Sequence, residues 1–129
     1  MILLLDTSTA ICRLTTIDDH DDEQTLEWEA GRAMARGLLA QLRDVLAARQ
    51  ATIHDLSGIG VYRGPGSFTG LRIGLTVANS LADSLSVPIV GETGDDWQQR
   101  ARQRLDAGDS DRIVLPEYGG EANITRPRK

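Results

Sequence analysis

The clearest potential for chemistry in this sequence lies in the run Gly64-Pro-Gly-Ser-Phe-Thr-Gly70, which precedes a predicted helix. Glycines permit close backbone approaches, and a helix N-terminus presents unbonded N–H groups that can bind anions. The run lacks the Gly-Lys-Ser/Thr ending of a nucleotide-binding loop and the spacing of a dinucleotide loop. Its glycines and hydroxyls therefore fit an anion site or a tight strand-to-helix turn equally well. The candidate loop residues are Gly64, Pro65, Gly66, Ser67, Phe68, Thr69 and Gly70.

A second polar cluster, Asp6, Thr7 and Ser8, directly follows an apolar run near the start of the chain. An acid at the carboxyl end of a buried strand can contact phosphate or metal, but Asp is also a common turn former. A two-metal nuclease would need several converging carboxylates, and only Asp6 stands at a predicted strand end. His20 and His54 lack metal-ligand spacing, and Ser67 has no evident triad partners. The sequence therefore predicts neither a catalytic residue nor a metal site.

Composition restricts the class of protein further. The chain has 129 residues, with 14 basic against 19 acidic side chains, a formal charge of −5 and 4% aromatic residues. That length fits one domain, and the charge argues against autonomous nucleic-acid binding. Cys12 is the sole cysteine, so an intramolecular disulfide is excluded. Its side chain is predicted to face the core. The first apolar run is too short for a signal peptide or a membrane span, so a cytoplasmic protein is expected.

Hydrophobic periodicity predicts the order β-β-β-α-β-α-β-α. Three antiparallel strands followed by alternating helices and strands predict an α/β fold with a mixed five-stranded sheet and flanking helices. This is the topology of a single actin-like or ribonuclease-H-like domain. The predicted strands span residues 2–5, 10–17, 24–29, 58–62 and 88–90. The predicted helices span residues 32–49, a segment from a cap at Thr69 to Leu85, and residues 95–105 with a cap at Asp95 or Asp96.

The helix predicted after the glycine-rich loop is apolar over more of its circumference than a one-sided surface helix needs. Small residues recur every four positions at Gly70, Gly74, Ala78 and Ala82, with larger apolar residues on both sides. Such a smooth stripe would let another helix approach closely. The helix is either buried within its own domain or, as we favour, packed with one face on the sheet and one on a partner protein.

Several motifs together resemble the TsaB (YeaZ) family. They are Ile2-Leu-Leu-Leu-Asp-Thr-Ser-Thr9, Gly64-Pro-Gly-Ser-Phe-Thr-Gly-Leu-Arg-Ile-Gly74 and Val87-Pro-Ile-Val90, in the family's order. The resemblance extends from residue 1 to about residue 91, which is roughly the family's first domain. It implies an actin-like (ASKHA) fold without a catalytic metal site.

This resemblance implies a non-catalytic accessory subunit of the bacterial system that makes threonylcarbamoyladenosine on tRNA. The implied partner is the catalytic homologue TsaD, which transfers the threonylcarbamoyl group, and the ATPase TsaE joins the complex. No cofactor is expected on this chain, because ATP and metal belong to the partner subunits, and tRNA is contacted only through the complex. The alternative is an autonomous nucleotide-binding actin-like enzyme that uses Asp6 and the loop at residues 64–70.

The resemblance also implies where the partner binds. The surface would lie on the first two helices, and the same helices are expected to form a homodimer when the partner is absent. The implied contacts on the first helix are Ala35, Leu38, Leu39 and Leu42. Those on the second helix are Arg72, Leu75, Thr76, Ala78 and Asn79.

Two departures from the family pattern stand out. The family has a second, similar domain, whereas this sequence divides into a TsaB-like domain at residues 1–108 and an extended tail at residues 109–129. The segment Leu115-Pro-Glu-Tyr118 resembles the family's C-terminal ending, so we expect an internal loss of the second domain. Residues 116–128 are then expected to dock on a partner or to cover the face exposed by that loss. Gly31-Arg32 also replaces the His-Ser pair of many relatives.

Overall fold

Five strands and three helices follow one another in the order β-β-β-α-β-α-β-α along residues 1–118, the part of the chain that the computed structural model describes. They are β1 (Ile2–Asp6), β2 (Ile11–Ile17), β3 (Glu23–Glu29), α1 (Met34–Ala47), β4 (Gly58–Tyr62), α2 (Phe68–Leu85), β5 (Ile89–Glu92) and α3 (Trp97–Asp106). The strand order in the sheet is β3-β2-β1-β4-β5. β1–β2 and β2–β3 are antiparallel, whereas β1–β4 and β4–β5 are parallel. The predicted mixed five-stranded α/β fold is confirmed.

β1 is buried on both faces because helices pack against both sides of the sheet at this central strand. Successive side chains of a strand point to opposite faces. Leu3 and Leu5 therefore pack into a core that includes residues of α1 and α2, whereas Leu4 packs into a second core with Trp97 and Ala101 of α3. This two-sided burial explains why the first strand is continuously apolar rather than alternating.

The beginnings of α1 and α2 differ from their predicted positions, whereas the cap of α3 is one of the two that were predicted. α2 is capped by Ser67 and not by Thr69, because the Ser67 hydroxyl accepts the Gly70 N–H at 3.2 Å. α1 begins at Met34, after a separate 3-10 turn at Gly31–Ala33. At α3, Asp96 occupies the cap position, but its carboxylate pairs with Arg100 instead of a backbone N–H. A further 3-10 turn, Ile53–Asp55, was not predicted.

Residues 109–118, which we call the strap, follow α3 and pack back onto the domain. The strap contains no helix or strand, consistent with the predicted extended tail, yet Val114 is buried. Of the segment 116–128, only residues 116–118 are described. There the Glu117 N–H donates to the Arg63 carbonyl at 2.7 Å, and the Tyr118 ring lies against Phe68. Residues 119–129 lie outside the described part of the chain.

Candidate functional site

The glycine-rich loop is bonded to the turn that follows β1. The Ser67 N–H donates to the Ser8 carbonyl at 2.7 Å, and the Gly70 N–H donates to the Ser67 hydroxyl. The Leu71 N–H donates to the Ser67 carbonyl at 2.9 Å. Of the four N–H groups at the start of α2 that an anion could use, those of Ser67 and Gly70 are therefore engaged within the protein. This geometry favours the interpretation of the loop as a strand-to-helix joint.

The small residues at the start of α2 are required by Thr7, which is buried against them. The Thr7 hydroxyl donates to the Gly70 carbonyl at 2.7 Å. A Cβ added at Gly70 would lie 2.3 Å from the Thr7 carbonyl oxygen, and one at Gly74 would lie 2.1 Å from Thr7 Oγ1. The stripe continues into the core at Ala78 and Ala82. The small-residue stripe therefore packs within its own domain, so any partner surface on α2 must lie on another face of the helix.

Asp6 forms the turn after β1. Its Oδ1 atom accepts the Ser8 N–H at 2.9 Å, which is the usual local bond of an Asp at a turn. His20 and His54 are both exposed. Within residues 1–118, no group of three or more His, Cys, Asp or Glu side chains is arranged to hold a metal ion.

Cys12 is a residue of β2 whose side chain lies in the core of the domain, as the sequence predicts, with none of its surface exposed. Burial, together with the nearby Asp6 carboxylate, raises the pKa of the Cys12 thiol to about 11. The thiol is therefore neutral at physiological pH and lacks the thiolate that a nucleophile needs.

An open groove of about 440 Å³ runs between α1 and α2. Half-buried Ile73 and Val77 form an apolar floor, and exposed polar residues of α2 stand beside them. At one end, the Arg72 guanidinium lies 5.3 Å from the centre of the exposed Phe68 ring, within cation–π range. The lining residues are Ala35, Phe68, Thr69, Arg72, Ile73, Thr76 and Val77.

The structure divides the predicted partner residues into three groups. Ala35, Arg72 and Thr76 line the groove, and Leu39 lies one turn beyond Ala35 with 39% of its surface exposed. Asn79 instead bonds to the strap: its side chain exchanges two 2.9 Å hydrogen bonds with the backbone of Val114. The predicted contacts that lie in the core are Leu38, Leu42, Leu75 and Ala78.

The four core residues were wrongly assigned as partner contacts because a helix between a sheet and a neighbouring helix has apolar residues on more than one face. Residues spaced by four, such as Leu38 and Leu42, share a face, and here that face meets the sheet. Ile73 and Val77 have the same spacing on a different face of α2 and were not named as contacts. Their position beside the stripe of small residues was the one feature of the sequence that could have indicated them as contacts.

Residues 28–93 match the family model described as "TsaD: tRNA N6-adenosine threonylcarbamoyltransferase". The tRNA threonylcarbamoyladenosine biosynthesis protein TsaB of Escherichia coli K12 is 32% identical over 90 residues, which cover 70% of this chain and 38% of that protein. TsaB of Bacillus subtilis 168 is 63% identical over 35 residues, covering 27% of this chain and 15% of that protein. The structure of YeaZ from Pseudomonas aeruginosa superposes with a TM-score of 0.69 at 30% identity.

The match covers this chain far better than it covers the relatives. The superposition with YeaZ includes 81% of this chain but 49% of the other, so the chain spans about half the length of that protein. In the part of the chain that the structure describes, no helix has the length and apolar character needed to cross a membrane.

Proposed function

The chain belongs to the TsaB (YeaZ) family, within the wider tRNA N6-adenosine threonylcarbamoyltransferase family, and we propose that it is a non-catalytic accessory subunit in threonylcarbamoyladenosine biosynthesis. Its proposed partner is the cognate TsaD. The observation that carries the proposal is the open apolar groove between α1 and α2. An exposed apolar groove between two helices suits a partner that packs helices of its own.

The remaining chemistry is assigned by this proposal to other subunits. The Ser67 and Gly70 N–H groups of the glycine-rich loop are engaged within the protein, and Cys12 is buried and neutral. Both observations support a role in which this chain holds no cofactor, so that ATP and metal are bound by the partners. A formal charge of −5 supports contact with tRNA only through the complex. TsaE is proposed to join the assembly, which acts in the cytoplasm. Without TsaD, the same groove is proposed to form a homodimer.

The experiment is a calorimetric titration of the full chain with its cognate TsaD. We expect a defined complex that is weakened at least tenfold by Thr76→Arg on α2, which places a charge in the groove lining, or by Leu39→Glu on α1, which places one on the exposed side chain one turn beyond the lining residue Ala35. Leu26→Glu is the matched control, since Leu26 is 37% exposed on β3, away from the groove, and Leu39 is 39% exposed. Equal weakening by the control, or no complex with the unmodified chain, would contradict the proposal.

An autonomous nucleotide-binding enzyme remains a separate hypothesis, and it is tested on the isolated chain. Calorimetry with ATP and ADP is expected to show no heat of binding, since two of the N–H groups at the start of α2, those of Ser67 and Gly70, are already bonded to Ser8 and Ser67. Micromolar binding that is abolished by Asp6→Ala would favour this enzyme over the accessory subunit.

A further inference from the structure

The strap closes the free edge of β5. In this edge strand, the backbone groups of Ile89 and Gly91 point away from β4, and each of them is bonded by the strap or by α3. The Asp111 N–H donates to the Ile89 carbonyl at 2.7 Å, and the Ser110 hydroxyl accepts the Ile89 N–H at 3.2 Å. The Gly91 N–H donates to the Asp111 carboxylate at 2.8 Å. Unpaired edges of sheets recruit other strands, so this end of the sheet is protected.

Asp111 is the central anchor of the strap at that edge. Besides the Gly91 N–H, its carboxylate accepts the Arg104 guanidinium of α3. Burial alone would raise the pKa of Asp111, but these two donors outweigh it and hold the pKa below its ordinary value. Arg104 also donates to the Gly91 carbonyl at 3.2 Å, so one ion pair joins the strap, β5 and α3.

The strap then crosses to α2, where Asn79 forms its second anchor through the paired bonds to Val114. Beyond Val114, the chain passes beside the glycine-rich loop. A Cβ added at Gly64 would lie 1.9 Å from the Glu117 carbonyl oxygen, which leaves room for glycine alone at that position. The strap therefore links the β5 edge to the start of α2.

At Tyr118 the strap reaches the rim of the groove between α1 and α2. The Tyr118 and Phe68 rings are 4.6 Å apart, and Arg72 lies against the same Phe68 ring. Even in this arrangement 54% of the Phe68 surface is exposed, so the contact with Tyr118 adds to the limited packing of this side chain. Tyr118 does not line the groove, so the docked strap leaves the groove open while it holds one of its rim residues.

We propose that the strap is a conformational latch: its closure at the β5 edge orders Phe68 and thereby prepares the groove for its partner. Strap closure and partner binding then stabilise one another, because a rim that is already ordered loses less conformational entropy on binding. The second half of this statement rests on the proposed function. The first half concerns this chain alone and can be tested without a partner.

The test uses the single phenylalanine of the chain as a probe. Incorporation of 4-fluorophenylalanine labels only Phe68, and Tyr118→Ala supplies the fluorine chemical shift of the unstacked ring. We expect Asp111→Ala to move the Phe68 resonance toward that reference, although Asp111 lies at the β5 edge. Asn79→Ala should do the same from the second anchor, which guards against a misfolded first variant. Asp106→Ala, a change of an exposed acid on α3, is the control and should leave the resonance in place.

The outcomes separate the latch from the proposed function. Unchanged fluorine shifts in both anchor variants would overturn the latch. If the shifts move, Asp111→Ala should also weaken binding of cognate TsaD about fivefold or more, within the usual range of coupling between sites. Unchanged affinity in a chain whose unmodified form binds TsaD would overturn the coupling alone. If the unmodified chain does not bind TsaD, the proposed function fails and the fluorine shifts alone decide the latch.

Discussion

Thr7 is the residue on which the geometry of the glycine-rich loop depends. It is buried between the turn after β1 and the first turns of α2, where its hydroxyl donates to the Gly70 carbonyl. The pattern of small residues in α2 was evident in the sequence, but what they pack against was not. A small residue every four positions indicates a close approach without identifying the neighbour. At Gly70 and Gly74 the neighbour is one threonine of the same domain, Thr7.

Gly74→Ala should destabilise the protein although it replaces glycine inside a helix. At an exposed helical position this change stabilises by up to about 1 kcal/mol. At Gly74, however, the new Cβ would lie 2.1 Å from Thr7 Oγ1, so the unfolding free energy should fall by about 1–3 kcal/mol. Urea denaturation measures the difference, with Ser80→Ala at an exposed site of α2 as control. A stability gain in Gly74→Ala would show that Thr7 does not constrain the helix.

Cys12 makes the stability of the folded protein depend on pH in the alkaline range. The folded thiol has a pKa of about 11 against 9.0 for an unperturbed thiol, so the unfolded state loses its proton first as pH rises. The stability from the neutral thiol is complete below about pH 9 and is lost between pH 9 and 11, by about 2–3 kcal/mol. The unfolding free energies of the native chain and of Cys12→Ala, measured by denaturation at each pH, should therefore converge over that interval. Parallel stability curves would refute the buried, neutral thiol.

The elements of this fold were largely predictable because each has a clear periodicity. β4 agrees with its predicted bounds, and the order of strands and helices is as predicted. The beginnings of helices were less predictable, since Ser67 and Thr69 are both good caps and only the loop geometry distinguishes them. The strap was not predictable as a packed element. Its contacts come from single side chains such as Asp111 and Asn79, which leave no periodic pattern.

Arg49 shows how one side chain ties two elements together. It follows α1, its side chain is only 6% exposed, and it donates to the Thr16 carbonyl and to the carboxylates of Asp18 and Asp22 on the β2–β3 hairpin. Arg49→Met keeps most of the aliphatic stem but leaves the Thr16 carbonyl without this donor, so we expect a loss of about 1–3 kcal/mol. Hydrogen exchange of β3 amides should accelerate in parallel. Arg43→Met, at an exposed site of α1, is the control, and equal effects would contradict the role of Arg49.

At the scale of the whole molecule, the central fact is that this single α/β domain spans only about half the length of its relatives. The chain covers 38% of the Escherichia coli TsaB and 49% of the Pseudomonas aeruginosa YeaZ structure. Family motifs predicted the fold well, but four of the nine partner contacts that they implied are buried in the core. Burial decides which residues of a helix can meet a partner, and it assigned Leu38 and Ala78 to the core. The exposed and half-buried residues that remain on these two helices include those that line the groove between α1 and α2.

The most direct test of the central claim is threonylcarbamoyladenosine formation on tRNA by the cognate TsaD, supplied with a threonylcarbamoyl donor. TsaE and ATP are included in every reaction. We predict that modification requires this chain, and that Leu39→Glu reduces the stimulation at least tenfold while Leu26→Glu preserves it. Full modification without the chain, or equal stimulation by Leu39→Glu, would contradict an accessory subunit that acts through the α1–α2 groove.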